Sequence, residues 1–203
     1  MKYHEIIKHY ENCLEQYGDT HKGVDWPNPV DTLKRYKVMT EIVQKDEQKS
    51  LLDFGCGLGH LLEYIRKENI KNIKYSGLDI SKKFIDFSSK KFPGIDFYCL
   101  DVLENNDFPS FDYIAMNGVF TEKRELSFDE MFEYFKKVLP IVFEKSNIGI
   151  AFNMTSKAVQ WERDDLFHMP IDLLVDFMTK NLSRNFVIRN DYGLYEYTVY
   201  LYK

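Results

Sequence analysis

Short apolar runs alternate with amphipathic stretches along the chain from residue 50 onward. The apolar runs predict strands, and the stretches between them carry apolar residues at helical spacing. Because each of the first five strands is followed by a helix or a long connection, we expect a parallel sheet covered on both faces. We predict strands at 50–54, 73–79, 95–100, 111–116, 147–153, 185–191 and 195–202, and helices at 58–69, 81–91, 127–145 and 170–182.

The last two predicted strands are connected differently from the others. Only a short turn around Tyr192 and Gly193 separates them. A turn of this length joins antiparallel strands, so we expect a closing hairpin. The predicted fold class is therefore α/β, with a Rossmann-like, seven-stranded, mostly parallel sheet and an antiparallel C-terminal hairpin.

Two helices are predicted before the first strand. Apolar residues recur at helical spacing over 3–17, and Asn28 and Pro29 are a favourable cap and first residue for a helix over 29–43. We interpret residues 1–48 as an N-terminal helical cap and residues 49–203 as the Rossmann-like core of a single domain, 1–203.

The composition and the charge of the chain indicate its compartment and the kinds of partner it can bind. The hydrophobic fraction of 44% suits a folded globule, and the formal net charge of -5 argues against a nucleic-acid partner, whose phosphates need a basic surface. Three scattered cysteines fit a reducing compartment, and no apolar run reaches the length of a membrane span. We therefore expect a cytoplasmic protein that works without nucleic acid or membrane.

The clearest chemical signal is a glycine-rich turn, Gly55-Cys56-Gly57-Leu58-Gly59, between the first strand and its helix. Glycines let a ligand approach the backbone, and the helix N-terminus offers free N–H groups. Asp53, Asp79 and Asp101 lie at the ends of the first three strands. Ligands bind at the carboxyl ends of parallel strands, and a carboxylate there can accept hydrogen bonds from a ribose. The sequence therefore predicts a nucleoside-binding site.

These motifs, in this order, resemble the class I S-adenosylmethionine (SAM)-dependent methyltransferases. The resemblance spans residues 50–153 and includes the terminal hairpin. It implies SAM as cofactor and S-adenosylhomocysteine (SAH) as its product, with Asp79 on the ribose, Asp101 on the adenine amino group and Arg35 on the carboxylate. The residues implied to bind the cofactor are Arg35, Asp53, Gly55, Cys56, Gly57, Gly59, Asp79, Ile80, Asp101, Val102, Asn117, Gly118 and Val119.

The acceptor side is predicted from three segments, the loop 18–28, the loop after the fourth strand and the connection 154–170. Methyl transfer depends mainly on alignment, and a base is needed only when the acceptor loses a proton. His21 and His168 are the candidate bases because imidazole titrates near neutral pH, and Asn117 is a third catalytic candidate. The candidate substrate contacts are Trp26, Asn28, Phe120, Asn153, Trp161 and Phe167, and Glu122, Asp164 and Asp165 lie in the same segments. No spacing typical of metal ligands is present, so no metal is expected.

Residues 152–168 and 189–200 also resemble small bacterial methyltransferases of surface-polysaccharide and capsule pathways. This resemblance implies a small polar acceptor, such as a phosphorylated, phosphoramidate or sugar-linked metabolite of capsule biosynthesis. Two alternatives stay open, a non-catalytic SAM- or SAH-binding module and an NAD-dependent oxidoreductase with the same glycine turn. The sequence does not decide whether the methylated atom is oxygen or nitrogen. It also leaves open whether the protein is a monomer or a homodimer.

Overall fold

The computed structural model of the protein describes residues 3–203, which form a mixed sheet flanked by helices. The strands are β1 (Lys49–Phe54), β2 (Ile73–Asp79), β3 (Phe97–Cys99), β4 (Phe111–Phe120), β5 (Ser146–Ser156), β6 (His168–Met169), β7 (Asn185–Arg189) and β8 (Glu196–Tyr202). The α-helices are α1 (His4–Tyr17), α2 (Pro29–Thr40), α3 (His60–Lys67), α4 (Lys82–Lys91), α5 (Phe128–Glu144) and α6 (Ile171–Asn181), and a 3-10 helix covers His21–Val24.

The strand order is β3-β2-β1-β4-β5-β8-β7, with β6 paired to β5. Strands β1 to β5 pair in parallel, whereas β8 runs antiparallel to both β5 and β7. The predicted α/β fold with a closing hairpin is therefore confirmed. Because β1 lies at the centre of the parallel part, its carboxyl end faces the ends of β2 and β4.

Within residues 3–203 the sheet contains eight strands, one more than the seven predicted. The additional strand, β6, has two residues and pairs with Thr155 and Ser156 at the end of β5. Strands β4 and β5 also continue to Phe120 and Ser156, beyond their predicted ends at 116 and 153. A strand of two residues has no periodicity in the sequence, and only its pairing with β5 defines it.

Two apolar clusters pack on the sheet. The larger one joins α5 to the sheet through buried residues such as Phe135 and Phe152. The other contains Tyr36 and Met39 of α2, so this helix belongs to a layer of the core as well as to the N-terminal segment. Within residues 3–203, no helix combines the length and the apolar character needed to cross a membrane.

Polar side chains fix the starts of the helices near the carboxyl ends of the strands. Ser127 and Glu130 form a capping box at the start of α5. Asn28 caps α2, because its Oδ1 accepts a hydrogen bond from Val30 N at 2.9 Å. Asn28 is exposed and does not line the cavity described below, so the structure places this predicted substrate contact at a helix cap.

Candidate functional site

The turn after β1 is built on glycines with left-handed backbone conformations. Gly55, Gly57 and Gly59 have φ angles of 76°, 50° and 71°. A Cβ at Gly55 would lie 2.8 Å from Val119 Cγ2, and a Cβ at Gly59 would lie 2.6 Å from Phe92 Cε2. Both the conformation and the lack of space therefore require glycine here.

Asp79 at the end of β2 connects this turn to the start of α4. Its carboxylate accepts hydrogen bonds from Gly57 N at 2.9 Å and from Ser81 N at 2.8 Å. Burial raises the pKa of Asp79 to about 6, and the backbone donors limit this rise. The group is therefore mainly ionised at neutral pH, and each carboxylate oxygen keeps acceptor capacity for a ligand hydroxyl.

A cavity of about 160 Å³ lies beside the glycine turn. The strand ends and loops predicted to bind the cofactor form most of its wall, and α1 closes it from the outside. The predicted cofactor residues that line it are Asp53, Gly55, Cys56, Gly57, Asp79, Ile80, Asp101, Val102, Asn117, Gly118 and Val119. Two predicted cofactor residues, Gly59 and Arg35, do not line the cavity. Gly59 caps α3, and Arg35 stacks on Trp26, which is itself a lining residue.

Asp53 contributes a second buried carboxyl group to this wall. It accepts a hydrogen bond from the Tyr75 hydroxyl at 2.8 Å. Burial raises the pKa of Asp53 to about 7, and the Tyr75 hydrogen bond limits the rise. A carboxyl group whose pKa is higher in the folded than in the unfolded chain stabilises the fold at low pH, and this stabilisation is lost as the pH rises toward the folded pKa.

Asp53→Asn is expected to raise the melting temperature by about 5 °C at pH 8 and by much less at pH 5. Asparagine keeps an acceptor for the Tyr75 hydroxyl and removes the buried charge. Thermal unfolding of the ligand-free protein at both pH values tests this expectation. An equal shift at the two pH values would contradict it.

Asp112→Asn is a control of opposite sign for that experiment. Partial burial raises the pKa of Asp112, but hydrogen bonds from Ser50 N and Oγ outweigh it and leave this pKa below its usual range. Its stabilising contribution is therefore present at neutral pH and lost in acid. The melting temperature of this variant should fall below that of the wild type at pH 8.

Helix α1 closes the outer side of the cavity. The hydroxyl of Tyr3, just before the helix, donates a hydrogen bond to Asp101. Glu11 accepts a hydrogen bond from Ser81 Oγ at 2.6 Å, beside Asp79. A ligand that binds Asp101 must therefore compete with Tyr3.

Asn117 also lines the cavity. Its Oδ1 atom is buried and has no hydrogen-bond partner among the described residues. An unpaired buried acceptor costs about 1–3 kcal/mol, so a donor group of a bound ligand would stabilise this wall. The unpaired oxygen therefore fits a cavity built for a polar ligand.

Gly118 lets Trp26 lie directly against β4. Its φ is 84°, and a Cβ there would lie 2.8 Å from Trp26 Cζ2. Gly118 N donates to Asn153 Oδ1 at 2.8 Å, and Asn153 Nδ2 donates to Glu196 Oε1 at 3.3 Å. Asn153 is fully buried in these contacts, so this predicted substrate residue supports the cavity wall from behind.

Arg35 is part of the same support. Its Nε lies 2.9 Å from each carboxylate oxygen of Glu196, and its guanidinium carbon lies 4.2 Å from the centre of the Trp26 ring. Arg35 therefore holds Trp26 in the cavity wall. A cofactor carboxylate, the partner implied for Arg35 by the resemblance, would have to reach its Nη atoms.

The two predicted bases lie outside the cavity wall. His21 Nδ1 donates to the Trp26 carbonyl at 2.5 Å, which leaves Nε2 as an acceptor in the neutral ring. His168 is buried, and its Nδ1 donates to the Ser156 carbonyl at 2.7 Å while Nε2 accepts from Arg163 N at 3.1 Å. Both nitrogens of His168 hold the connection between β5 and β6, so neither is available as a base.

Two predicted substrate aromatics are core residues. Phe120 and Phe167 are fully buried, with ring centres 4.9 Å from Phe135 and 5.0 Å from Phe128, respectively. Trp161, in the connection between β5 and β6, is 63% exposed. An aromatic residue near a loop has the same sequence signature whether it packs inward or faces solvent, so only the structure separates these roles.

A group of charged side chains that the sequence does not predict meets near Val24, Trp26 and Tyr10, which line the cavity. This group, here called the acid–base cluster, consists of His9, Asp25, Glu122 and Arg124. His9 Nε2 lies 2.6 Å from Asp25 Oδ2 and 3.9 Å from Glu122 Oε2. Arg124 Nη1 lies 3.3 Å from Glu122 Oε2. The loop after the fourth strand predicts Glu122 on the acceptor side, but no sequence signal connects it with His9 or Asp25.

The part of the chain that carries the glycine turn is similar to a known family of domains. Residues 52–139 match a family described as a methyltransferase domain, and this range contains the glycine turn, Asp79, Asp101 and Asn117. The sheet order with its antiparallel closing strand is the fold that the class I resemblance implies. The match therefore indicates a methyltransferase domain over residues 52–139.

Two related sequences are also described as methyltransferases. The chain is 29% identical over 167 residues to "Putative methyltransferase Rv1506c" of Mycobacterium tuberculosis (strain ATCC 25618 / H37Rv), covering 80% of this chain and 98% of the relative. It is 26% identical over 73 residues to "Putative methyltransferase 235L" of Invertebrate iridescent virus 6, covering 36% of this chain and 27% of that protein.

Solved methyltransferase structures share the fold over nearly the whole chain. Magnesium protoporphyrin IX methyltransferase from Synechocystis PCC 6803, crystallised with SAH, has a TM-score of 0.64 at 13% identity and covers 98% of this chain and 99% of its own. The plantazolicin methyltransferase BpumL, in complex with SAH and a pentazolic desmethylPZN analog, has a TM-score of 0.58 at 19% identity and covers 98% of each chain. At such identities the likeness shows the fold alone.

Proposed function

We propose that this protein is a SAM-dependent methyltransferase that acts on a small polar acceptor. The observation that carries the proposal is the meeting of four features in one cavity, the glycine turn, Asp79, Asp101 and the unpaired oxygen of Asn117. Solved structures of the same fold are crystallised with SAH, which supports the choice of cofactor.

The residues of the cavity fit the parts of this cofactor. Asp79 would accept hydrogen bonds from the ribose hydroxyls, Asp101 would accept one from the adenine amino group, and the glycine turn would face the amino-acid part. When bound, SAM supplies a methyl group on a positively charged sulfur. The chain contributes alignment and exclusion of water, with Trp26 fixed in the wall by Arg35 and α1 closing the outside.

The acceptor class is proposed from the resemblance to capsule-pathway methyltransferases over residues 152–168 and 189–200. It would be a phosphorylated, phosphoramidate or sugar-linked metabolite, modified in the cytoplasm by a monomer or homodimer of this chain. Incubation with methyl-tritiated SAM and a panel of such metabolites tests the proposal. Label transfer supports an enzyme, whereas cofactor binding with no transfer to any member favours the non-catalytic binding module.

Glu11→Ala is expected to increase the SAH dissociation rate about fivefold, because the variant removes two attachments of α1. Glu11 accepts from Ser81 Oγ at 2.6 Å and pairs with Lys83 at 3.2 Å. Stopped-flow displacement of SAH measures the rate. Glu5→Ala is the matched control, since Glu5 lies on the same helix, is exposed and pairs with Lys8 at 2.7 Å. Equal rates for both variants would contradict a closing role of α1.

A further inference from the structure

The side chains that line the cavity divide unequally between acids and bases. Three carboxyl groups line it, those of Asp53, Asp79 and Asp101. The lining residues that the structure describes include no lysine and no arginine, and His60 is the one histidine among them. A ligand that carries a carboxylate would therefore be repelled by the ionised groups of this wall and would find a cationic partner only at His60.

His60 is held beside the glycine turn by a network of ion pairs. It is the first residue of α3 and follows Gly59 directly. Its Nε2 lies 2.8 Å from Asp19 Oδ1, and Lys91 Nζ lies 2.8 Å from Asp19 Oδ2. Lys91 Nζ also lies 2.8 Å from Glu63 Oε1. The side chains of His60 and Lys91 are only 14% and 18% exposed, so the imidazole ring has a defined position in the cavity wall.

The charge on Asp19 determines which nitrogen of His60 carries a proton. Partial burial raises the pKa of Asp19, but hydrogen bonds from Lys91 and His60 outweigh it and leave this pKa below its usual range. Asp19 is therefore ionised at neutral pH and accepts a hydrogen bond from His60 Nε2. The Nδ1 atom of His60 has no hydrogen-bond partner among residues 3–203. In an imidazolium ring Nδ1 is a second donor, and a carboxylate nearby favours this charged form.

The loop between α1 and α2 packs on the glycine turn and carries Asp19 with it. A Cβ at Gly57 would lie 3.2 Å from Val24 Cγ1, so this loop is in close contact with the turn. Asp19 reaches His60 from the start of the same loop. Because the turn is proposed to face the amino-acid part of the cofactor, His60 adjoins the part of the wall that would receive that group.

Arg35, which the resemblance implies as the partner of the cofactor carboxylate, is engaged elsewhere. Its Nε lies 2.9 Å from both carboxylate oxygens of Glu196, and its guanidinium stacks on Trp26. Glu196 is buried, and Arg35 does not line the cavity. Arg35 therefore already has a carboxylate partner within the protein.

We propose that His60, held by Asp19, binds the α-carboxylate of the cofactor in place of Arg35. This inference rests on the proposed function and makes the carboxylate a requirement for tight binding. Asp53 and the unpaired Oδ1 of Asn117 line the same cavity and, as acceptors, suit the α-ammonium group of the cofactor. The site therefore selects ligands with an intact amino-acid end over adenosine derivatives that lack it.

Calorimetric titration with SAM and with decarboxylated SAM tests this inference. The two ligands differ only in the carboxylate, so a contact with that group affects SAM alone, whereas a structural role of His60 affects both. The wild type should prefer SAM by at least about tenfold. His60→Ala should lower the affinity for SAM about tenfold, the effect of one charge-assisted hydrogen bond, and change that for decarboxylated SAM by less than about twofold.

Lys91→Ala is the matched control, because Lys91 pairs with Asp19 but does not line the cavity. This variant should keep the preference of the wild type for SAM. His60→Gln is the second variant in case alanine loosens the loop, since glutamine keeps an N–H donor for Asp19. Glutamine cannot become cationic, so His60→Gln should also narrow the preference, by at least about threefold.

Equal losses of affinity for the two ligands in His60→Ala and in His60→Gln would show that His60 only holds the loop, and would overturn the inference. A wild type that binds both ligands equally would overturn it as well. So would a loss confined to SAM in Arg35→Ala, because the carboxylate would then belong to Arg35. Binding of neither ligand by the folded wild type would instead overturn the proposed function.

Discussion

Asp79→Asn is expected to weaken SAH binding at least about 100-fold at neutral pH, because hydrogen bonds to a charged carboxylate are worth about 1.5–3 kcal/mol each. The variant loses the charge and one acceptor oxygen, and the carboxylate also holds Gly57 N and Ser81 N. Asparagine preserves the shape of the site better than alanine, which would leave both backbone donors unpaired. Calorimetric titration with SAH measures the loss.

The pH dependence of the wild type provides a second test of the same assignment. Burial raises the pKa of Asp79 to about 6, and the ionised form is the one that accepts two ribose hydroxyls. SAH affinity should therefore fall as the pH drops from 7.5 to 5.5, and Asp79→Asn should lack this dependence. Asp86→Asn, an exposed change on α4, should bind like the wild type. Retention of affinity within threefold by Asp79→Asn would contradict the assignment.

Gly118→Ala is expected to lower SAH affinity about tenfold and to change the fluorescence of Trp26. The added Cβ would lie 2.8 Å from Trp26 Cζ2, so the ring must move out of the cavity wall. The displaced indole also loses its contact with Arg35. Titration with SAH and Trp emission spectra measure the two effects.

Gly94→Ala separates this steric effect from backbone strain. Gly94 has the same φ of 84° as Gly118, and a Cβ there would meet nothing within 4 Å. Gly94→Ala should therefore lose about 1 kcal/mol of stability from the backbone alone. Gly118→Ala should lose more stability because of the clash with Trp26, and only Gly118→Ala should lose affinity. Equal affinities for the two variants would show that Trp26 has no part in ligand binding.

The parts of the fold that the sequence predicts are those with a local pattern. Local patterns predict where strands begin and end: the apolar runs, the glycine turn and the Tyr192-Gly193 turn. The alternation of strand and helix then determines which strand ends lie next to one another. The wall proposed to bind the cofactor follows directly, because Asp53, Asp79 and Asp101 lie at those ends and line the cavity. Strand β6 is not predicted, because two residues are too few to show an alternation of apolar and polar positions.

The residues predicted to contact the acceptor are harder to place from the sequence, because their positions depend on side-chain direction and tertiary contact. Strands β4 and β5 continue past their predicted ends, so Phe120 and Asn153 lie within strands and point into packed layers rather than into a loop. His168 satisfies two backbone groups, which its sequence position could not show. His9, Asp25 and Glu122 come from three separate segments, and only the packing of α1 on the sheet brings them together.

Calorimetric titration of the wild-type protein with SAM and with SAH is the decisive test of the proposed cofactor. We expect micromolar binding of both ligands at one site per chain. Binding of neither ligand by a protein shown to be folded would contradict the proposed function and would favour a dinucleotide site at the glycine turn.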